Sequence, residues 1–352
     1  MKEKRIAVLN SQVPFVYGGA EILVNDLVKQ LRLRNFKTDV ISIPFKWYPT
    51  YELANSAMIW RLLDLNSTAG EKIDMVIGTR FPTYATEHDN KVLWLLHQHR
   101  AAYDLYESKE YSGLKYAHGN TGEAARNKVI AIDNKTIREC KRVYTISKNV
   151  SERLKKYNDI NSNSLYPPPS FIGRYRCDSY EDYILSVGRL YSIKRVDLII
   201  KALKFTSPQI KLKITGTGPE METLKKLVRE LKLDSRVEFL GFVKDEELLA
   251  LYANAFAVVY PPVDEDYGYV TIESFLSYKP IITTWDSGGP LEFVENEKNG
   301  LVSECEPELV GANIEYLYNN KNKCKEFGML GYEKVKHITW DNVIDRLTET
   351  LR

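Results

Sequence analysis

Short apolar runs of strand length alternate with longer segments of helical periodicity along most of this chain. In its first half, the predicted strands cover residues 6–9, 39–43, 75–78, 92–96 and 143–146, and a predicted helix covers residues 20–33. This rhythm is typical of a parallel sheet with helices packed on both faces. It stops at Pro167, Pro168 and Pro169, which can continue neither a helix nor a central strand and therefore suit a stiff linker between domains.

A second alternating series follows the three prolines. Its predicted strands cover 183–187, 211–214, 237–240, 255–260 and 280–284, and its predicted helices cover 196–203, 220–231, 245–253 and 270–276. We therefore predict an α/β protein with two Rossmann-like, doubly wound parallel-sheet domains, over residues 1–167 and 168–337. The remaining segment, 338–352, has apolar residues at helical spacing from 340 to 351, so we predict an amphipathic helix that packs back on the first domain.

Composition is that of an ordinary globular protein, because 44% of the 352 residues are hydrophobic and 27% are charged. The net charge of +2 hides an uneven split, since residues 1–170 hold 25 Lys and Arg against 18 Asp and Glu, which leaves 24 against 29 for the rest. A basic first half can meet nucleic acid, anionic lipid or a phosphorylated acceptor, and a solvated surface without a partner explains it equally well. We favour contact with an anionic membrane, through Lys29, Arg32, Arg34 and Lys37 around one helix, and expect no nucleic-acid partner.

The spacing of the cysteines and the hydropathy of the chain indicate the cellular compartment in which the protein works. Cys140, Cys177, Cys305 and Cys324 lie far apart and outside any metal-binding spacing, which fits reduced thiols in a cytoplasmic protein. The charged N-terminus runs directly into a predicted strand, so we expect no signal peptide there. No apolar run reaches 18 residues, which argues against a spanning helix and leaves open peripheral attachment to the inner face of a membrane.

Two glutamates eight positions apart, Glu265 and Glu273, bracket the most informative local string. A predicted strand precedes them, and a predicted helix has its N-terminus at Gly268 and Tyr269. Backbone amides there, including that of Val270, would face an anion, with Glu265 in the loop and Glu273 in the first turns of the helix. Two glutamates at this spacing also occur in many charged helices, so the pair gains its weight from the residues around it.

Cations and glycines follow other strands of the second domain. Arg189 and Lys194 come after the strand at 183–187, where both can reach a diphosphate, one through a fork of donors and the other as a point charge. Gly216 lies in a tight loop after the strand at 211–214, with room for a ligand. A surface pair of cations and plain turn chemistry are the alternative interpretations.

The first domain carries a weaker set of candidates. Gly18 and Gly19 stand at the start of its first helix, where adjacent glycines let the backbone approach a ligand and the helix end favours negative charge. His97, His99 and Arg80 follow predicted strands, so they are expected near the carboxyl edge of the sheet, where open α/β folds bind ligands. An ordinary loop–helix junction and solvated loop side chains are the alternatives.

Taken in order, these residues resemble glycosyltransferase family 4, a family of retaining, nucleotide-sugar-dependent enzymes with the GT-B fold. The resemblance covers nearly the whole chain and is closer in the second domain than in the first. It implies a GT-B architecture in which two Rossmann-like domains face a cleft that holds the active site, and transfer without a cofactor or a metal. The residues that carry it are Gly18, Gly19, His97, Ser147, Tyr166, Pro167, Arg189, Lys194, Gly216, Gly218, Gly241, Glu265, Glu273, Gly288, Gly289 and Glu292.

The resemblance also implies a role for each residue of the second domain. Arg189 and Lys194 would hold the donor diphosphate, and Glu273 would accept hydrogen bonds from the ribose. Glu265 would contact hydroxyls of the transferred sugar. The amides of Gly268, Tyr269 and Val270 would meet the sugar and phosphate, and Gly216 would belong to the same donor site.

Roles in the first domain follow in the same way. Gly18 and Gly19 would close on the donor, and His97 would lie beside the reacting sugar, with His99 as its substitute. Arg80 and His99 would lie on the acceptor side. Ser147 is instead predicted to cap a helix.

The function implied by the resemblance is transfer of a hexosyl group from a nucleoside diphosphate sugar to a glycan or lipid-linked acceptor, with GDP-mannose favoured slightly over UDP-sugars. An inactive GT-B relative that binds a glycan or a partner enzyme is the alternative. A nicotinamide-dependent enzyme is disfavoured because no GxGxxG pattern follows the first strand. Asp264, Glu265 and Asp266 also spell DxD, the metal signature of another glycosyltransferase architecture, which the two alternating halves disfavour.

Overall fold

The computed structural model describes residues 3–16, 18–109, 111 and 113–352. The chain forms two compact units, one made of Met1–Ser170 with Ile338–Arg352 and the other of Phe171–His337. The first division therefore falls between Ser170 and Phe171, close to the predicted boundary at 167 and 168.

The first unit is built on a parallel sheet of six strands, which has the order β2-β1-β5-β6-β7-β8. A small antiparallel pair, β3 and β4, lies outside that sheet. The strands are β1 (Arg5–Gln12), β2 (Lys37–Pro44), β3 (Ser67–Thr68), β4 (Glu71–Lys72), β5 (Met75–Gly78), β6 (Lys91–Leu95), β7 (Arg142–Thr145) and β8 (Asn163–Ser164).

Helices of the first unit include α1 (Gly19–Leu33), α2 (Glu52–Leu62), α3 (Leu114–Thr136), α4 (Lys148–Asn158) and α11 (Trp340–Leu347). Gly119, at φ 52° and ψ −131°, interrupts α3. Helix α4 begins where the Ser147 hydroxyl accepts a hydrogen bond of 3.0 Å from the amide of Val150, which confirms the predicted cap.

The second unit repeats the plan with another parallel sheet of six strands, in the order β11-β10-β9-β12-β13-β14. Its strands are β9 (Tyr183–Val187), β10 (Lys211–Thr215), β11 (Val237–Gly241), β12 (Ala257–Val259), β13 (Ile281–Thr284) and β14 (Gly300–Ser303), and its helices are α5 (Val196–Ala202), α6 (Met221–Glu230), α7 (Asp245–Asn254), α8 (Tyr269–Leu276), α9 (Pro307–Asn319) and α10 (Lys321–Val335).

Burial explains why apolar runs rather than alternating patterns mark the central strands. Strands β5, β6 and β12 are buried along their whole length, as expected when helices cover both faces of a parallel sheet. The predicted fold class, two doubly wound parallel-sheet units, is confirmed.

Several details of the prediction are wrong. The strand expected over 255–260 pairs only over Ala257–Val259, and the last helix ends at Leu347 and is followed by a 3₁₀ turn, Glu349–Leu351, rather than running to 351. The prediction also lacked β3, β4, β8, β14, α2, α3, α9 and α10, and of α4 it contained only the cap at Ser147.

The C-terminal segment groups with the first unit. Trp340 in α11 packs edge-on against Trp94 in β6, with 6.3 Å between ring centroids. Glu349 accepts a hydrogen bond of 2.9 Å from the hydroxyl of Tyr144. None of the helices in the part of the chain that the structure describes combines the length and the apolarity that crossing a bilayer requires.

Helix α8, which carries Glu273, lies directly against α10 at two glycines. A Cβ added at Gly328 would lie 2.0 Å from the carbonyl oxygen of Tyr278, and one added at Gly331 would lie 2.2 Å from the ring of Phe275. Only glycine fits at such distances, so these two residues allow the helices to approach closely.

We predict that Gly328→Ala lowers the free energy of unfolding by about 2 kcal/mol, because the new methyl group overlaps a backbone oxygen that cannot rotate away. The higher helix propensity of alanine offsets part of this loss. Urea unfolding measures the change, with Met329→Ala as the control, since Met329 is 62% exposed in the same helix. Equal unfolding curves for the two variants would contradict the packing described.

Candidate functional site

Two glycine-containing loops lie in direct contact at the carboxyl ends of β9 and β10. Gly216 has φ 99°, and a Cβ there would lie 2.0 Å from the carbonyl oxygen of Gly188. The amide of Leu190 donates a hydrogen bond of 2.9 Å to the carbonyl of Thr217. The loop that carries Arg189 and the loop that carries Gly216 are therefore parts of one surface at this edge of the sheet.

A second pair of loops adjoins the ends of β12 and β13. The amide of Glu265 donates to the carbonyl of Ser287 at 2.9 Å, and the amide of Gly289 donates back to the carbonyl of Glu265 at 2.7 Å. Gly268, at φ 82° and ψ 70°, turns the chain into α8 at Tyr269, where the sequence predicted the start of this helix. Both loops are thus fixed by backbone bonds, and Glu265 lies in the segment that leads into α8.

Lys194 and Glu265 form an ion pair with each other. They were predicted to bind different parts of the donor, Lys194 the diphosphate and Glu265 the sugar. Tyr260 joins them, because its hydroxyl donates to Oε2 of Glu265 at 3.0 Å and accepts from Nζ of Lys194 at 3.2 Å. The two charged side chains are only 20% and 22% exposed. A cation and a carboxylate thus lie together in a partly desolvated place, where charge interactions are stronger than in bulk water.

Glu273 lies on α8 between tyrosines. The hydroxyl of Tyr252 donates to Oε2 of Glu273 at 2.7 Å. Burial, followed by the adjacent charge of Glu273, raises the pKa of Tyr175 above its usual range, and burial also raises the pKa of Glu273. The bond from Tyr252 orients the carboxylate and leaves it able to accept further hydrogen bonds.

Arg189 has different surroundings from Lys194. Its side chain is exposed, and its guanidinium lies 5.1 Å from the centroid of the Tyr191 ring. The structure therefore brings Lys194 to Glu265 and stacks Arg189 on a neighbouring aromatic ring.

Arg195 and Asp286 form a bidentate ion pair that the sequence interpretation did not identify. The Arg195 guanidinium donates to both carboxylate oxygens of Asp286, at 2.8 and 2.6 Å. The backbone carbonyl of Asp286 in turn accepts from the amide of Asp264 at 2.8 Å. Although burial opposes it, these bonds hold the pKa of Asp286 below its usual range. The pair therefore connects the residue after Lys194 to the loop that carries Glu265.

In the first unit, Arg80 belongs to a network at the start of α1. Its guanidinium donates to Glu21 at 2.6 Å and to the side-chain oxygen of Asn10 at 3.1 Å. The other oxygen of Glu21 accepts from the amide of Gly18 at 3.0 Å. Gly18 and Gly19 are thus held at a helix start by a carboxylate that also neutralises Arg80, and the structure does not offer Arg80 as an uncommitted cation.

The two histidines that follow β6 differ in their surroundings. Nδ1 of His97 lies 2.8 Å from the carbonyl oxygen of Gln98, so that nitrogen carries the hydrogen of this bond. His99 packs against Phe45 and Phe81, with ring centroids 6.2 and 5.8 Å away. Burial lowers the pKa of His99 to about 4, with a smaller contribution from His97, so His99 is neutral at neutral pH.

No group of three or more side chains able to ligate a metal occurs within residues 3–16, 18–109, 111 and 113–352. The Asp264, Glu265 and Asp266 string lies in the loop fixed by Ser287 and Asp286, and its central glutamate is bonded to Lys194.

Part of the chain is similar to known glycosyltransferases. Residues 173–334 match the family model described as glycosyl transferases group 1. An uncharacterized glycosyltransferase of Methanocaldococcus jannaschii is 32% identical over 176 residues, and the O-antigen chain mannosyltransferase of Salmonella typhimurium is 30% identical over 153 residues. These alignments cover 46% and 42% of this chain and 43% of each relative, so the chain spans less than half the length of either relative.

The fold extends the similarity to the whole chain. The crystal structure of Anabaena HepE in complex with UDP and glucose has a TM-score of 0.70 with 16% identity, and the alignment covers 98% of both chains. Residues 173–334 are therefore similar to the glycosyl transferases group 1, and the whole chain has the GT-B fold; both findings support the resemblance to family 4 drawn from the sequence.

We predict that Lys194 and Glu265 are energetically coupled in the ligand-free protein. A double-mutant cycle with Lys194→Met and Glu265→Gln should give a coupling of about 1–2 kcal/mol in urea unfolding, because each single change leaves a partly buried charge without its partner.

The matched control is the exposed pair Lys225 and Glu222, whose side chains are 41% and 80% exposed. The same cycle there should give no more than about 0.5 kcal/mol. Equal coupling in the two cycles would show that the ion pair at the candidate site is a surface contact.

Proposed function

We propose that the protein transfers a hexosyl group from a nucleoside diphosphate sugar to a glycan or lipid-linked acceptor, with retention of the anomeric configuration. The observation that carries the proposal is that Lys194, Glu265 and Tyr260 are bonded together in the segment before α8. Helix α8 itself carries Glu273. A pyrophosphate requires cations and helix-end amides, and a sugar requires hydrogen-bond acceptors. Both are present in this place.

In this proposal, the incoming diphosphate competes with Glu265 for Lys194. An exchange of partners moves Nζ of Lys194 onto phosphate oxygens and releases the carboxylate of Glu265 to accept from hydroxyls of the sugar. Arg189, which is exposed next to the same loops, supplies a fork of donors to the diphosphate. The amides at Gly268, Tyr269 and Val270 complete the anion site at the start of the helix.

Glu273 is proposed to bind the ribose. Its carboxylate already accepts from Tyr252, and a carboxylate with two oxygens can accept from ribose hydroxyls at the same time. Gly216 lets its loop lie against the loop that carries Arg189, because a side chain there would collide with the carbonyl of Gly188.

The chemistry that these residues support is stabilisation of a leaving group. As the bond between the anomeric carbon and the diphosphate breaks, negative charge accumulates on the phosphate oxygens, and Lys194 and Arg189 hold it. A hydroxyl oxygen of the acceptor then attacks the oxocarbenium-like sugar from the face that the diphosphate leaves, which retains configuration, and the proton of that hydroxyl passes to an oxygen of the departing diphosphate. Because positioning and charge stabilisation are sufficient for this scheme, no protein nucleophile and no metal are required.

The donor and acceptor are further parts of the proposal. A relative named as a mannosyltransferase supports mannose, so GDP-mannose is the first donor to test, and the relative solved with UDP supports UDP-sugars as the second. In the first unit, His97 is proposed to contact the reacting sugar, and His99 is proposed to contact the acceptor.

We expect Lys194→Ala and Glu273→Ala each to lower turnover of the donor at least about tenfold, since the loss of one charge-assisted bond is worth about 1.4 kcal/mol or more. The measurement is release of nucleoside diphosphate from candidate sugar nucleotides by the purified protein. Lys201→Ala is the matched control, because this lysine pairs with Asp197 on the helix that follows Lys194.

Wild-type rates in both variants would overturn the site assignment, and binding without any turnover would favour the inactive relative. Each assay includes an arm with EDTA. Unchanged rates there are expected, and complete loss with rescue by Mn or Mg would favour a metal site at Asp264, Glu265 and Asp266.

Membrane contact is also proposed, on a basis that the sequence did not reveal. Met58, Ile59 and Leu62 are exposed on the outer side of α2, whereas Leu53 and Trp60 are buried on its inner side. Exposed apolar residues on one side of a helix can insert into the interface of a bilayer. Of the basic residues first considered, Arg34 pairs with Asp341 and Arg32 donates to the carbonyl of Thr38.

We expect the protein to float with vesicles that contain phosphatidylglycerol, and the double change Ile59→Asp with Leu62→Asp to reduce the floated fraction at least about tenfold, because two charges in the interface oppose insertion. Leu330→Asp, at an exposed position of α10, is the control and should float like the wild type. Equal flotation of both variants, or no preference for anionic vesicles, would remove the proposal.

A further inference from the structure

A cavity of about 400 Å³ in the first unit lies between β1, the residues after β2 and the loops after β5 and β6. Phe45, Trp47 and Phe81 form aromatic walls, and His99 lines the same space. The ring of Phe45 lies 6.4 Å from that of Trp47 and 6.1 Å from that of Phe81, so the three side chains form a continuous apolar surface. Its volume is in the range of pockets that bind small ligands.

One polar atom in this aromatic surrounding lacks a partner. Nε2 of His99 is buried and makes no hydrogen bond within the described part of the protein. A buried polar group without a partner is energetically costly, so such groups in folded proteins call for water or a ligand that can hydrogen-bond. Since the His99 ring is neutral, its Nε2 either donates or accepts, depending on the tautomer.

The charges around the cavity limit the kind of ligand. Among the described lining residues, Arg80 is the only one with a permanent charge, and Glu21 neutralises it through their 2.6 Å ion pair. The lining hydroxyl of Ser11 donates to the carbonyl of Phe81 at 2.8 Å. A phosphate group would therefore lose its hydration without gaining an unpaired cation. An alkyl chain would leave Nε2 of His99 without a partner.

A sugar ring satisfies both requirements. Its hydroxyl groups donate and accept, so one of them suits Nε2 in either tautomer, and its C–H face is apolar enough to lie against aromatic rings.

We propose that this cavity binds one uncharged sugar residue of the acceptor, with a ring hydroxyl hydrogen-bonded to Nε2 of His99 and the apolar face of the ring against Phe45 and Trp47. The inference rests on the proposed transfer to a glycan acceptor and specifies the chemical class of the group held in the first unit: a neutral saccharide rather than a phosphate or a lipid chain.

Saturation-transfer difference NMR on the full chain tests this directly. The probes are the methyl α-glycosides of mannose, glucose, galactose and N-acetylglucosamine at millimolar concentration, the matching sugar 1-phosphates, and hexanol. At least one neutral glycoside should receive saturation, with a signal at least about fivefold above those of its 1-phosphate and of hexanol.

Two variants in the cavity locate the binding. His99→Phe keeps the aromatic volume and removes the nitrogen, and Trp47→Ala removes one wall; each should reduce the glycoside signal at least about fivefold. His337→Phe, at an exposed histidine of the second unit, is the matched control and should retain the full signal. Thermal unfolding of every variant is recorded, so that a loss of signal counts only in a folded protein.

Four results would overturn the inference: no neutral glycoside binds, the 1-phosphates or hexanol bind as well, folded His99→Phe retains the signal, or folded Trp47→Ala retains it. Nucleotide binding is measured in parallel with Lys194→Ala, which should lose the nucleotide and keep the glycoside. If the wild type binds nucleotide but no glycoside, this inference alone is wrong. If the wild type binds neither, the proposed function is wrong as well.

Discussion

The ion pair between Lys194 and Glu265 is the interaction on which the account of the site depends. The pair is only about one-fifth exposed, and Tyr260 bonds to both partners. In the ligand-free protein, each charge compensates the other, so neither is left buried alone, which would be costly. In the proposed function, a pyrophosphate can replace Glu265 as the partner of Lys194, because its phosphate oxygens are also anionic. Hydroxyls of the sugar then donate to the carboxylate of Glu265. Under the proposed function, the ion pair keeps both charges compensated until the donor binds.

Everything around the pair serves to hold it in place. Lys194 stands just before α5, Glu265 stands just before α8, and both helices follow neighbouring parallel strands, so their starts meet at one edge of the sheet. The bidentate ion pair between Arg195 and Asp286 connects these segments. Backbone hydrogen bonds from Glu265 to Ser287 and from Gly289 to Glu265 hold the loop that carries Glu265 in place. The glycines of α10 act at longer range, since they allow α8 and its Glu273 to lie close to the rest of the unit.

Much of the fold could be predicted from the sequence, because buried parallel strands give apolar runs and their helices give a 3.6-residue period. Helix α2 escaped prediction for a physical reason: it is apolar on its exposed side as well as on its buried side, so the period is lost. Helix α10 escaped because its two packed glycines have low helix propensity. At the site, the residue types of Lys194, Glu265 and Glu273 could be read from their positions after strands. The pairing of Arg195 with Asp286, 91 positions apart, and the isolation of Nε2 of His99 could not, since both depend on tertiary packing.

The two units thus present different chemistry: paired charges and tyrosine-oriented carboxylates in the second, and a neutral aromatic cavity in the first. The most direct test of the central claim is calorimetric titration of the wild type with UDP, GDP and ADP and with the corresponding nucleosides. If the place around Lys194 and Glu265 accommodates a pyrophosphate, at least one diphosphate should bind at least about 100-fold more tightly than its nucleoside, a difference of about 2.7 kcal/mol. A nucleoside that binds as well as its diphosphate, or no binding of any of the three nucleotides, would contradict the account.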